Sequence, residues 1–350
     1  MRIKVLFGVL NWGLGHATRS IPIIDELLKN NHKVYIASDG DALKLLKHQY
    51  PDLKFYNLPS YNVKYPYKSI FFNILRYSPS IITAIFKENK EVKKIYNDIK
   101  PDAIISDNRY GFRNRNCHNI FITHQVNLQL SNNILTALGA EANKFLIKKF
   151  DKLWIPDYKG NDSIAGKLSD KAGFIPHHYI GALSRLQKKN EEIIYDIAIV
   201  LSGPEPQKSI FEKIILNQLQ KTDKKIILIR GAINNKAINT SGNITIVNFA
   251  DTSELNDILN KSAMVIARSG YTTVMDMVAL SKKAFFVPTP GQSEQEYLAE
   301  YLKSKNLFNY SNQKDFDINT AIANTTSPPN IKHKPGLLKS AINQLIENTK

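Results

Sequence analysis

A chain of 350 residues with 43% hydrophobic side chains can bury a core without help and is long enough for two domains. Its single cysteine, Cys117, excludes an internal disulfide framework and any zinc site built from several cysteines, and fits a reducing compartment. A net charge of +16, mostly from lysine, suits nucleic acid, an anionic membrane surface or plain solubility, but no zinc knuckle, arginine-rich arm or RNA-binding sheet motif accompanies it, so no nucleic-acid partner is expected.

The first apolar run, 4–9, is too short to cross a membrane and no small-residue cleavage site follows it. It reads as a first strand, and the protein as cytoplasmic. It leads into NWGLGH (11–16), where Gly13 and Gly15 permit a loop that lets another group come close, and His16 falls at the start of a helix, 18–30. A third glycine is missing, so a nicotinamide site is not expected. Strands 33–37 and 54–57 flank a helix at 41–49. The pair Asp39 and Asp41 has metal-binding spacing, but aspartate at a helix start is a favoured cap, and no metal is expected.

Residues 61–86 concentrate aromatics, isoleucine and leucine with Lys64, Lys68 and Arg76, and predict a helix at 69–86 followed by another at 88–99. Pro66, Pro79 and the charges rule out a span. The mix suits a membrane interface, or equally the buried faces of two helices. Strand 103–106 runs out at Asp107, and strand 120–123 at His124. A helix at 130–150 and a strand at 152–155 complete the first half, and GALSRLQKKN (181–190), with Arg185, joins it to the second.

In the second half, strands are predicted at 196–201, 225–230, 244–247, 264–267 and 284–287. Ser202 and Gly203 follow the first, and NFAD (248–251), with Phe249, follows the third. After the fourth, Ser269 and Gly270 allow a tight turn, and Thr272 and Thr273 open a helix, 273–280. Free N–H groups and the helix dipole at that start suit a phosphate. Asp276, about one turn in, is placed for a pair of sugar hydroxyls. The fifth strand ends in PTPG (288–291), before a polar helix start with Gln292, Gln295 and Glu296. Residues 311–335 read as loop, and 337–346 as a last helix. Strands alternate with helices in both halves, and each half has a glycine-containing turn after its first strand. This predicts an α/β protein of two Rossmann-like domains facing across a cleft, 1–186 and 187–350.

The stretch 267–299 resembles the donor-site motif of GT-B glycosyltransferases, most closely the family 28 group around the lipid-linked N-acetylglucosaminyltransferase of peptidoglycan synthesis. The resemblance implies that Ser269, Gly270, Thr272 and Thr273 hold a diphosphate, that Asp276 (where glutamate is usual) binds the uridine ribose, and that Gln292, Gln295 and Glu296 bind the donor sugar. Ser202 and Gly203 resemble the family's second diphosphate loop, although its usual Gly-Gly-Ser form is absent. Arg185 resembles a hinge arginine that approaches the diphosphate, and the segment with Phe249 resembles the loop whose backbone reads uracil. The resemblance also implies that the last helix, 337–346, packs back on the first domain.

NWGLGH resembles the GxGH loop beside the reacting sugar and the acceptor. Inverting transfer needs a base for the acceptor hydroxyl, and an imidazole titrates in the right range. His16 is then the base, or donates a hydrogen bond to phosphate or loop. Asp107 matches an aspartate that pairs with the catalytic histidine in plant-type GT-B enzymes, or caps a turn. His124 is a second acceptor-side candidate. Arg19 matches the arginine of GxGHxxR hydrolases of related fold, at a phosphate or capping the loop. The expected function is inverting, metal-independent transfer from a UDP-sugar co-substrate, with no other cofactor, to a hydroxyl acceptor. The family group implies a lipid-linked acceptor and a peripheral position on the inner membrane face. A UDP-sugar hydrolase and a non-catalytic sugar-nucleotide binder are the alternatives.

Overall fold

Short runs rich in valine and isoleucine, bounded by lysines and turn residues, become parallel strands because helices cover both of their faces. The computed structural model describes residues 2–61, 70–127, 133–219, 222–231, 237–329, 331 and 336–349, without the side chains of 70–79 and 133–138. The chain divides into two units, residues 1–183 with 333–350, and residues 184–332. The division falls just before Ser184, slightly earlier than the sequence implies, and the last helix belongs with the first unit.

In chain order the first unit contains β1 (Lys4–Val9), α1 (Leu14–Lys29), β2 (Lys33–Ser38), α2 (Gly40–Gln49), β3 (Lys54–Asn57), α3 (Ile70–Ile99), β4 (Ala103–Asp107), β5 (His118–Ile122), α4 (Asn133–Ile147), β6 (Lys152–Ile155) and β7 (His177–Tyr179). The second contains β8 (Tyr195–Val200), α5 (Gln207–Leu219), β9 (Ile226–Ile229), β10 (Ile238–Ser241), β11 (Ile244–Val247), α6 (Thr252–Asn260), β12 (Ser262–Ala267), α7 (Tyr271–Leu280), β13 (Lys283–Phe286), α8 (Ser293–Ser304), β14 (Asn309–Tyr310) and α9 (Ile318–Ala323). Helix α10 (Leu337–Asn348) returns to the first unit, where it buries Ala341, Ile342 and Leu345 and neighbours α1.

The first sheet has seven strands in the order β3-β2-β1-β4-β5-β6-β7, all paired parallel. The second has the order β10-β11-β9-β8-β12-β13-β14, parallel except for the β10–β11 pair. Both are doubly wound. Chain progression reverses between β1 and β4 in one sheet and between β8 and β12 in the other. Loops at the C-terminal ends of strands part at such a reversal and leave a crevice for a ligand. His16 and Asp107 belong to the first reversal, and Ser202, Ser269 and Gly270 to the second. Beneath the first, Leu6, Val92, Ile95, Ile99, Ile104 and Phe112 form a buried cluster. A Cβ on Gly8 would run into the Phe112 ring, so β1 needs a glycine there. Beneath the second, Ile197, Ile199, Phe211, Leu228, Ile266 and Phe285 do the same work.

Several expectations change. Helix α1 starts at Leu14, four residues before the expected 18, because Gly13 takes φ 79° as its cap and Leu14 and Gly15 already form the first turn. The two helices expected at 69–86 and 88–99 are one, α3, since KENKE (87–91) contains good helix formers and no glycine or proline. Asp39 occupies the cap position of α2 but makes no cap hydrogen bond. Its carboxylate accepts from Arg109 Nη1 at 2.7 Å instead, and the amide N–H of Ala42 donates to Asn11 Oδ1 at 3.1 Å. Strands β7, β10 and β14, and helix α9 inside the stretch read as loop, are short elements that no clear periodicity announces. Much of the aromatic segment 61–86 lies outside the described residues at 62–69, as do the side chains of 70–79. Ile82 and Phe86 beyond it are 54% and 71% exposed. No helix among the described residues is long and apolar enough to cross a membrane.

Candidate active site

In the first unit, the reversal point gathers one carboxylate, one guanidinium and two imidazoles. Asp107 ends β4 opposite Val9 of β1, and the first turn of α1 brings His16 above it. His16 Nδ1 lies 3.0 Å from Asp107 Oδ1. Arg19, one turn further along α1, donates from Nε to Asp107 Oδ2 at 2.8 Å and from Nη2 to Asp107 Oδ1. The same Nη2 is 2.9 Å from His16 Nδ1, and Nη1 is 3.0 Å from Nδ1 of His124. Ser20 Oγ donates to the His16 carbonyl at 2.8 Å and lies 3.2 Å from Asp107 Oδ2. The Asp107 side chain is 1% exposed and that of His16 is 15% exposed. A reacting molecule can therefore meet the imidazole but not the carboxylate behind it.

Burial works to raise the pKa of Asp107, but the charge of Arg19 and, in acid, that of protonated His16 outweigh it and hold the carboxyl well below its usual range. Burial, and then the Arg19 charge, lower the pKa of His16 against the opposing pull of Asp107. The imidazole is therefore neutral at pH 7.

In the second unit, most of the expected donor-side residues gather where β8, β12 and β13 end. Gly270 caps α7, and an added Cβ there meets nothing nearer than 4.0 Å, so the turn stands open. Asp276, half-buried on α7, accepts from Ser184 Oγ at 2.5 Å. Burial pushes its pKa up to about 6, against the favourable effects of Ser184 and Arg185. Arg185 also donates from Nη1 to Thr252 Oγ1 at 2.8 Å. Ser269 Oγ donates to the Gln295 carbonyl at 2.8 Å and ties the start of α7 to α8. Gln295 uses both ends of its amide within the loop, accepting from Thr289 N–H at 2.9 Å and donating to Gln292 Oε1 at 2.5 Å. Glu296 Oε1 accepts from Gly291 N–H at 2.9 Å. Gly203, at φ 102°, sits against Thr289 Oγ1, so the exposed Ser202–Gly203 turn borders the same loop. Thr272 and Thr273 are half-buried in the first turn of α7, and Phe249 is half-buried between β11 and α6.

Comparison with known proteins finds glycosyltransferases. Residues 197–335 match the family model described as the glycosyltransferase family 28 C-terminal domain, and residues 3–138 match that described as glycosyl transferase family 1. An uncharacterized glycosyltransferase of Methanosarcina mazei is 25% identical and aligns over 87% of this chain and 84% of its own. A UDP-N-acetylglucosamine--N-acetylmuramyl-(pentapeptide) pyrophosphoryl-undecaprenol N-acetylglucosamine transferase of Sulfurihydrogenibium sp. is 31% identical over 33% of each chain. The solved glycotransferase of kitacinnamycin superposes with a TM-score of 0.67 at 12% identity, over 100% of this chain and 96% of its own. The chain is a GT-B glycosyltransferase resembling family 28.

The glycosyltransferase also carries site-forming residues that the sequence did not single out. Arg109, fully buried, donates from Nε to Glu88 Oε1, from Nη1 to Asp39 Oδ1 and, at 3.1 Å, to the Val9 carbonyl, and from Nη2 to the Pro59 carbonyl at 2.8 Å. Glu88 Oε2 in turn accepts from Tyr61 Oη at 2.7 Å and from Gly111 N–H at 2.9 Å. One cation thus ties the ends of β1 and β2 and the segment after β3 to the turn after Asp107. Its one signal in the sequence is an arginine just past a strand end. Ser184, Ser20 and Asn11 gave no signal of their own, because their partners lie far away in the chain or a short polar side chain carries no distinctive local pattern.

Proposed function

We propose that this enzyme moves a sugar from a UDP-sugar, N-acetylglucosamine or a relative, to a hydroxyl acceptor, inverting the anomeric centre, with His16 as base and no metal or other cofactor. The contact between His16 Nδ1 and Asp107 Oδ1 carries the reading. With the Nδ1 proton directed at Asp107, the lone pair on Nε2 is free to take the acceptor's proton. The acceptor oxygen then bonds to the anomeric carbon, its proton passes to Nε2, and UDP leaves with the electrons of the broken C–O bond. Asp107 stabilises the imidazolium that forms. Arg19, which neutralises Asp107 in the resting state, opposes early protonation and keeps the base available. On the donor side, the start of α7 takes the diphosphate, Asp276 the ribose hydroxyls, and the Gln292–Glu296 turn the sugar. The uridine assignment is supported by the donor named for the Sulfurihydrogenibium relative.

Asp276 gives this reading a pH signature. Its carboxylate form is the one that accepts from two hydroxyls, and its pKa is raised to about 6. Affinity for UDP-N-acetylglucosamine, whose diphosphate does not titrate nearby, is expected to fall as pH drops through about 6. Asp276→Asn should bind about 1–3 kcal/mol more weakly at pH 7.5 and lose the pH dependence. Calorimetry decides it: equal affinities of the two proteins at both ends of the range remove Asp276 from the ribose site.

The acceptor is proposed to be lipid-linked, as named for the same relative, and the protein to work at an anionic membrane face. Exposed Ile82 and Phe86 on α3, followed by Lys87, Lys90, Lys93 and Lys94, support that placement. The protein should float with anionic vesicles, and Ile82→Ser with Phe86→Ser should leave it in the soluble fraction. Flotation indifferent to lipid charge or to these substitutions argues for a soluble acceptor.

A further inference from the structure

Arg268 is a buried cation that the chemistry above does not use. It lies between the last residue of β12 and the Ser269–Gly270 turn, and it is 1% exposed. Nη1 donates to the carbonyls of Val287 at 3.0 Å and Pro288 at 3.2 Å. Nη2 donates to the Gln207 carbonyl at 3.0 Å and to Gln313 Oε1 at 2.6 Å. The guanidinium carbon stands 4.3 Å from the centre of the Phe211 ring, and Nε has no hydrogen-bond partner. Every oxygen in this set is uncharged, and among the described residues no carboxylate acts on the group. Burial lowers its pKa only to about 10, so it remains a cation at neutral pH.

An unneutralised cation in a low-dielectric interior is costly, and removing water from around it strengthens its pull on any anion that arrives. The places Arg268 reaches are the rim of the donor cradle. Pro288 opens the loop that Thr289, Gln292 and Gln295 organise. Gln207 begins α5 just after the Ser202–Gly203 turn, and Ser269 and Gly270 follow Arg268 directly.

We propose that Arg268 is a positioning residue of the donor site, whose single guanidinium ties three loops together and whose unbalanced charge makes the cradle favour a nucleoside diphosphate over the uncharged nucleoside. This rests on the nucleoside-diphosphate donor proposed above. It assigns Arg268 no contact with the ligand.

Calorimetric titration of the full chain with UDP and with uridine tests it, alongside Arg268→Gln, which removes the charge, and Arg268→Lys, which keeps the charge and loses the fork. Arg268→Gln is expected to lose about tenfold or more in UDP affinity while uridine affinity stays within about threefold. Arg268→Lys is expected to keep the wild-type ratio of UDP to uridine affinity within about threefold. Equal losses for both ligands in Arg268→Gln, or unchanged UDP affinity, overturn the proposal and leave Arg268 as a structural bolt. Should thermal melting show that Arg268→Gln does not fold, Arg268→Lys decides alone: a kept ratio supports the charge, and a collapsed ratio overturns it. Failure of the wild-type protein to bind UDP is seen before any substitution; it sinks the donor reading, and this inference falls with it.

Discussion

His16→Ala lowers kcat by about 10²–10⁴-fold and leaves UDP affinity within about twofold of wild type. The size follows from what a positioned base contributes to proton transfer in the transition state. The selectivity follows from location, since His16 sits on α1 of the first unit and Asp276, Ser269 and Gln295 belong to the second. Steady-state kinetics with donor titration separates the two effects. Near-wild-type kcat in His16→Ala would move the base elsewhere, and His124, which shares Arg19 with His16, is the next imidazole to replace.

Asp107→Asn destabilises the first unit by about 3–5 kcal/mol, because it leaves the guanidinium of Arg19, itself 2% exposed, without its counter-charge. The paired change Asp107→Leu with Arg19→Met should restore most of that loss while turnover stays low, because the buried charges are then removed together. The linkage runs in the same direction. The folded-state pKa of Asp107 is depressed, so its contribution is complete above the unfolded value of about 4 and is lost as the solution is acidified through the folded value. Chemical denaturation of the single and paired variants measures both effects. A single variant as stable as wild type would mean that Arg19 finds other anions.

The sequence was legible where physics is local. Apolar runs closed by lysine and turn residues marked the long central strands, since parallel strands buried on both faces need little else. The spacing of Ser269, Gly270, Asp276 and Gln292 was legible because one βα turn and the next strand end set it. Pairings between distant segments were not. Glu88 and Arg109 are 21 residues apart and lie on a helix and a loop whose meeting nothing local predicts. Ser184 reaches Asp276 across 92 residues. Asp39 looked like a helix cap because aspartate usually is one, and tertiary demand from Arg109 overrode that preference. Arg19 reads from the sequence as a phosphate or loop residue; its tie to Asp107, 88 residues away, which sets the proposed base beside a neutralised carboxylate, has no local signal.

Product analysis with UDP-N-acetylglucosamine tests the transfer reaction most directly. In the presence of lipid-linked hydroxyl acceptors and a chelator, UDP should appear in step with sugar attached to acceptor, and little should appear when the acceptor is left out. Free sugar released at the same rate with and without acceptor would contradict transfer and make the protein a hydrolase.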